Sequence, residues 1–431
     1  MNSALEPAPT DWTSDAMQRR IRRRYGAERR FKAFGLAAVI LSAAFLAFLL
    51  VTMAWNGAGG FKRTEIALTL DFPAMHLPVD AAQLKSTGAN LALASADLEG
   101  AVQKAENAAY TSPVEPGTTL FSESAWLTVR DALKADPALL QRRQTFWLPA
   151  STAIEEQVRH PRAPQSQGAD KLRSMGWLRT GFNWDFLTAS NSTDPTVAGI
   201  WGALKGSLLT MLVTFVIAFP VGLFAAIYLE EYAPRNRWTD LIEVSINNLA
   251  AVPSIIFGLL GLAVFLGSWS LFGHQFGPML PRSAALVGGL TLALMIMPVI
   301  VIASRNAIKA VQPSIRDAAF GIGASRVQVV FHHVIPLAMP GILTGTIIGM
   351  ARALGETAPL LLIGMRAFIV TPPSSLSDPA TVLPVQIFLW SDEVSRGYVE
   401  KTSAAIIVLL VFLLAMNGLA IYLRNRFETR W

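Results

Sequence analysis

Arg352 and Glu356 are the two charged residues of an otherwise apolar run, 334–365, in the stretch Ala-Arg-Ala-Leu-Gly-Glu-Thr-Ala-Pro-Leu that ends at residue 360. Charges inside a membrane segment are costly, and by default they mark the path of a polar substrate. Four residues apart, the two side chains are expected to share one face of a helix. Counted from Pro340 at ~1.5 Å per residue, Arg352 stands ~18 Å into the span, near mid-membrane. A guanidinium presents paired planar donors that match an oxyanion, and the carboxylate beside it can accept a hydrogen bond from a protonated one. The alternative is a structural ion pair whose two charges only neutralise each other. Arg305, at the end of an earlier apolar run, is a weaker candidate for the exit side of the path, with a snorkelling arginine as its alternative. Thr357, Asn247, Asn248 and Ser254 could add polar lining, though hydrogen bonds between helices explain them as well.

These residues need a membrane-spanning frame, and the composition supplies one. Of the 431 residues, 52% are hydrophobic and 15% charged, and the mean hydropathy is +0.41. The apolar residues are clustered. Five stretches free of Asp, Glu, Lys and Arg are long enough to span the ~30 Å hydrocarbon core: 33–61, 206–229, 244–281, 283–304 and 402–423. The run 334–365 makes a sixth if Arg352 and Glu356 are tolerated. The fold class expected is an all-α integral membrane protein with six transmembrane helices and a mainly helical insert on the outer side. The first apolar run is longer than a signal-peptide core and reads as a retained anchor.

Net charge is +6, and its distribution orients the chain. Arg19, Arg20, Arg22, Arg23, Arg24, Arg29, Arg30 and Lys32 precede the first span. Nucleic-acid binding is the competing reading of such a run, but basic clusters flanking a span follow the positive-inside rule. With that tail inside, six spans also place Arg235, Arg237, Arg305, Lys309, Arg316, Arg326, Arg424, Arg426 and Arg430 inside. The outer loops keep Arg282, Arg366, Arg396 and Lys401. Both termini are expected in the cytoplasm.

The expected organisation is a cytoplasmic basic tail (1–32), the first span (33–61), a periplasmic insert (62–197) and a five-helix transmembrane domain (198–431). Within the insert, Ala-rich amphipathic helices are expected over 80–110, 122–141 and 148–160, with a loop at 161–168. It shows no catalytic constellation and reads as a docking or spacer module, so deleting most of it should leave a folded six-helix core. The chain has no cysteine. His332 and His333, adjacent in sequence, would point about 100° apart on a helix and make a poor chelate. No metal site, catalytic residue or cofactor is expected. No Gly-x-x-x-x-Gly-Lys-Ser/Thr run is present, so any ATP hydrolysis must reside in another subunit.

The connector 305–336 is long for a membrane protein. It carries Asp317-Ala-Ala-Phe-Gly-Ile-Gly and, thirteen residues after the last glycine, Pro336. Ala318 and Ala319 make a short helix thin enough to lie in a groove, and Gly323 permits a sharp turn after it. This pattern resembles the "EAA" loop of ABC importer permeases at Ala318, Ala319, Gly323 and Pro336, with Asp317 in place of the usual Glu. Residues 200–431 further resemble the PstA branch of phosphate importer permeases. The match is carried by Ala-Val-Pro-Ser-Ile-Ile-Phe-Gly-Leu-Leu-Gly ending at 261, the Gly-Glu-Thr-Ala-Pro run, and Leu-Pro-Val-Gln-Ile-Phe-Leu-Trp ending at 390. The insert 62–197 is longer than that branch usually carries.

The resemblance implies a type I ABC permease core in the inner membrane, importing phosphate beside a second, PstC-like permease subunit. It further implies a PstB-like ATPase dimer docked on Asp317, Ala318, Ala319, Gly323 and Pro336, and a periplasmic PstS-like binding protein. The lipid bilayer is the remaining partner, with no nucleic acid. Phosphate keeps a proton at neutral pH that sulfate lacks, so Arg352 with Glu356 could favour phosphate. Another oxyanion (molybdate or phosphonate), or a membrane-anchored sensor, are the alternatives. The sensor requires neither mid-membrane charges nor a long docking loop.

Overall fold

A computed structural model describes residues 14–86, 88–110, 119–159, 167–267, 269–271, 274–276, 280–395 and 397–427. His160, Arg396, Arg430, Pro113, Pro116 and most of the loop expected at 161–168 lie outside them. The chain divides into two units, 1–55 and 56–431. The first is nearly all helix α1, Asp15–Gly57. At 43 residues it is ~64 Å long, about twice the hydrocarbon thickness, and its proline-free sequence runs unbroken from the basic segment into the apolar one.

The insert contains a sheet that the sequence reading did not place. Strand β1 (Lys62–Asp71) is central, flanked antiparallel by β2 (Arg143–Pro149) and β3 (Leu178–Phe182). Period-two alternation buries Ile66, Leu68 and Leu70 of β1, the pattern of a strand with one covered face. Against it pack helices α2 (Leu98–Ala109), α3 (Ala125–Ala135) and α4 (Thr152–Arg159) through Leu98, Val129, Leu133 and Ile154. The single helix expected over 80–110 is three pieces, the last opening at Asp97. That residue adopts φ 51° and caps α2 by accepting from the Gly100 N–H at 3.2 Å. Pro137 ends the helix expected over 122–141, after which a 3-10 turn leads into β2. The helix expected over 148–160 starts only at Thr152.

The membrane region consists of α5 (Trp201–Ile227), α6 (Arg237–Ala250), α7 (Ser254–Phe265), α8 (Ala285–Lys309), α9 (Pro313–Gly321), α10 (Ile335–Gly355), α11 (Leu383–Ser391) and α12 (Gly397–Phe427). Among the described residues five helices are long and apolar enough to cross a membrane, α10 being continued upstream to Arg326. The third expected span, 244–281, is not one helix. α6 and α7 meet at 106° around Pro253, whose ring fixes φ and removes a donor. Packing decides what this bent pair does. Gly289 of α8 lies against Val213 of α5, and Gly222 of α5 against Ile300 of α8, so α5 and α8 run parallel. A link between parallel neighbours has to return to the side it left, as the bent pair α6 and α7 does if it is one span. Among the described residues the spans then number six.

Small residues set the closest approaches. A Cβ on Gly345 of α10 would collide with Ala303 of α8, and one on Gly341 would come within 2.7 Å of the Ala307 Cβ. This is the close packing that glycines at four-residue spacing allow, and it fixes α10 antiparallel to α8.

The insert is joined to the transmembrane region by buried charge. Arg159 of α4 binds Glu400 of α12 at 2.5 Å and Glu155 at 3.2 Å. Glu155 also accepts from the Thr64 N–H, and burial pushes its carboxyl above its usual range against the pull of Arg159. Lys401 is 2% exposed; it donates to the Gly60 carbonyl at 3.4 Å and lies 5.0 Å from the Phe186 ring. Arg63 pairs with Asp185. Phe61 and Phe186 share an apolar cluster with Trp390, Tyr398 and Ala404. A separable spacer would show none of this interface.

Candidate functional site

Arg352 occupies the last turn of α10. The helix ends at Gly355, and Glu356 is the first residue beyond it, in extended backbone at φ −77° and ψ 122°. The acid therefore does not extend the helical face as the spacing suggests; it reaches back from a corner. Its Oε1 lies 3.4 Å from Arg352 Nε, with the arginine side chain 47% exposed and the glutamate 18%. Thr357 opens the next short helix, Ala358–Leu362, by accepting from the Leu361 N–H at 3.0 Å. Gly355 before the corner and Pro359 after it explain the break. Against that short helix lies α7: a Cβ on Gly258 would sit 2.6 Å from the Pro359 Cα. Two interrupted helices thus meet beside the charged pair, and interrupted spans recur at transporter binding sites because their ends free backbone polar groups for a ligand.

Arg305 belongs elsewhere. By the α8–α10 packing register it sits about nine residues, or ~14 Å, further along the bundle from Arg352. It is 8% exposed and does not snorkel. Nη2 binds Glu243 of α6 at 2.8 Å and Nε binds Glu230 at 3.4 Å, while Lys309 adds a contact to Glu230 at 3.6 Å. Arg305 thereby ties the end of α5, α6 and α8 together. The sequence reading missed Glu230, Glu231 and Glu243. Their only signal was acidic residues placed on the same side as the basic run 305–316. Asn247, Asn248 and Ser254 fall on α6 and at the start of α7.

The connector after α8 is pinned at the same end. Arg316 of α9 donates to Glu231 at 2.8 Å, to the Val311 carbonyl just beyond α8 at 2.7 Å and to the Ile308 carbonyl in its last turn at 2.9 Å. The Ile308 carbonyl also accepts from the Val311 N–H at 3.2 Å, and the guanidinium adds a charged donor where the helix dipole is negative. Ala319 is buried against Val329, Val330 and Val334. Asp317, Ala318, Phe320 and Ile322 face outward, and Gly323 turns the chain at φ +87°, where a side chain would be strained. Pro336 stands in the first turn of α10. Beside it a cavity of about 710 Å³ is lined by Ala307, Ile315, His332, His333 and Leu337. The connector thus presents a rigid, outward-facing ridge of one acid and two large apolar side chains.

Residues 218–429 match the family described as binding-protein-dependent transport system inner membrane component, and residues 18–167 match a domain of unknown function, DUF3333. A probable ABC transporter permease, YqgI of Bacillus subtilis, is 31% identical over 48% of this chain and 70% of its own length. The phosphate transport system permease protein PstA of Yersinia pestis is 30% identical over 52% of this chain and 71% of its own length. PstC of Haemophilus influenzae, from a phosphate transport system, is 32% identical over 49% and 70%. By these relatives, the chain belongs to the binding-protein-dependent inner-membrane components, the multi-pass permease subunits of ABC transporters.

Proposed function

We propose that this chain is the permease subunit that carries inorganic phosphate into the cytoplasm, driven by ATP hydrolysis in a separate subunit. The observation that carries the substrate is the corner at Arg352 and Glu356. Arg352 engages Glu356 through Nε, which leaves its paired Nη donors available to an oxyanion. Glu356 is the acceptor for the proton that phosphate retains and sulfate lacks. Similarity to both PstA and PstC proteins supports the same reading.

The ridge of Asp317, Phe320 and Ile322 is the docking element for a PstB-like ATPase dimer. A PstC-like permease completes the membrane pore, and a PstS-like binding protein delivers phosphate outside. Basic residues at the start of α1, just before and at the start of α6, and at the ends of α8 and α12 support a reading with both termini in the cytoplasm. Uptake of radiolabelled phosphate is the test, in cells lacking this chain and in cells given it back. Phosphate uptake restored by the chain and resistant to excess sulfate and molybdate is the expected result. Competition by molybdate at equal concentration would assign the permease to that oxyanion instead.

A further inference from the structure

The insert ends in an exposed aromatic edge. Phe182, the last residue of β3, is 52% exposed, and Trp184, two residues on, is 68% exposed. Their rings meet edge to face with centroids 4.8 Å apart, and Phe182 stacks on Phe61 at 6.2 Å. Between them Asn183 is buried. Its N–H donates to the Phe61 carbonyl at 2.8 Å, and its side chain accepts from the Phe186 N–H at 3.1 Å. That cap opens the short helix Trp184–Thr188, which turns Phe186 into the cluster it shares with Trp390 and Tyr398 and leaves Trp184 outside. A contiguous aromatic surface kept outside the fold marks a contact with something else.

The spans fix the height of this edge. The helix Trp184–Thr188 lies on the first turn of α5, where the Phe186 and Ala189 carbonyls accept from the Ile200 and Trp201 N–H groups, each at 2.9 Å. Beside Phe61, a Cβ on Gly60 would come within 2.7 Å of the Ala404 Cβ of α12. Phe182 and Trp184 therefore stand level with the ends of two helices that are long and apolar enough to cross a membrane. Trp201 carries the edge onto α5, and Leu208, Leu212 and Phe215, all exposed, extend it along one helix face. Lys62, also exposed, is opposite Phe182 in the β1–β3 register, so both side chains leave the same face of the sheet.

We propose that this edge is a membrane foot of the insert. Phe182 and Trp184 enter the interfacial layer of the leaflet on the insert's side, and Lys62 reaches a lipid phosphate. Three observations select lipid as the occupant: the level of the edge, its continuity with the outward surface of α5, and the cation beside the rings. Tryptophan concentrates at the membrane surface because its ring is apolar and its N–H polar. A lysine there keeps its ammonium among the headgroups while its stem lies along apolar surface. The insert is then supported twice, by its buried joint to α12 and by lipid.

The chain has no cysteine, so Phe182→Cys and Trp184→Cys each offer one attachment point for an environment-sensitive fluorophore. The test uses the whole transporter in lipid nanodiscs, which leave both faces open to solutes, with partner subunits made cysteine-free. Leu91→Cys, exposed on the insert's helix Ala89–Ser95, is the comparison. Labels at positions 182 and 184 should lose emission to nitroxide-bearing lipids and keep it in aqueous iodide, and the label at 91 should do the reverse. Iodide quenching at 182 and 184 equal to that at 91 would overturn the proposal. Protection from both quenchers would overturn it too, since a protein would then cover the edge. Lys62→Glu should weaken lipid quenching of the label at 184 in discs of anionic lipid; unchanged quenching would strike Lys62 from the foot. Should the labelled variants lose their fold, brominated lipids read the same contact without a label. Wild type should lose more tryptophan emission to them than Trp184→Phe, and equal loss would overturn the proposal.

Discussion

At the scale of single residues, the Arg352–Glu356 contact separates two roles that substitutions can tell apart. If Arg352 grips the anion, Arg352→Lys should lose at least about tenfold in uptake, because a point charge cannot reproduce the guanidinium fork. Glu356→Gln should reduce phosphate uptake with normal membrane levels and weaken discrimination against sulfate. A pair that only neutralises itself gives the opposite result: Arg352→Leu with Glu356→Leu would restore what either single change loses. Uptake by the double variant decides between them. The pair was legible because charges stand out in an apolar run. Its geometry was not, since helical spacing alone does not register the end of α10 at Gly355.

At the scale of elements, the ridge formed by α9 and Gly323 is held rigidly on α8 and α5 by Arg316, so force applied to it reaches the bundle. Gly323→Val should uncouple ATP hydrolysis from uptake while insertion into the membrane stays normal, because a β-branched residue is strained at φ +87°. ATP hydrolysis and uptake measured on the same vesicles check this, and normal coupling would remove the turn from the docking element. The sequence displayed this ridge through its Ala-Ala and Gly spacing. Pro253, which breaks the third span, and the alternation Ile66, Leu68, Leu70 were equally visible. Their meaning depended on competition: length and composition favoured one long helix in the first case, and an Ala-rich helical neighbourhood outweighed a short strand in the second.

At the scale of the whole molecule, the insert is a structural part of the permease. Replacing 62–197 by a short linker removes Arg159 from Glu400 and the Phe186 ring from Lys401. It also uncovers the apolar cluster of Trp390, Tyr398 and Ala404 that Phe186 packs against, and newly exposed apolar surface favours aggregation. Such a deletion should therefore accumulate in membranes well below the full chain. Immunoblots of membrane fractions give the readout; full accumulation of the simple deletion would show the joint to be dispensable. Chain order gives the joint a further meaning. Arg63, Glu155 and Arg159 are synthesised long before Glu400 and Lys401, so the ionic cluster stays open until the last helix is made. A chain truncated before α12 leaves Arg159 without Glu400 and Phe186 without Tyr398 and Ala404, so exposure of that surface to a protease reports whether α12 has been added.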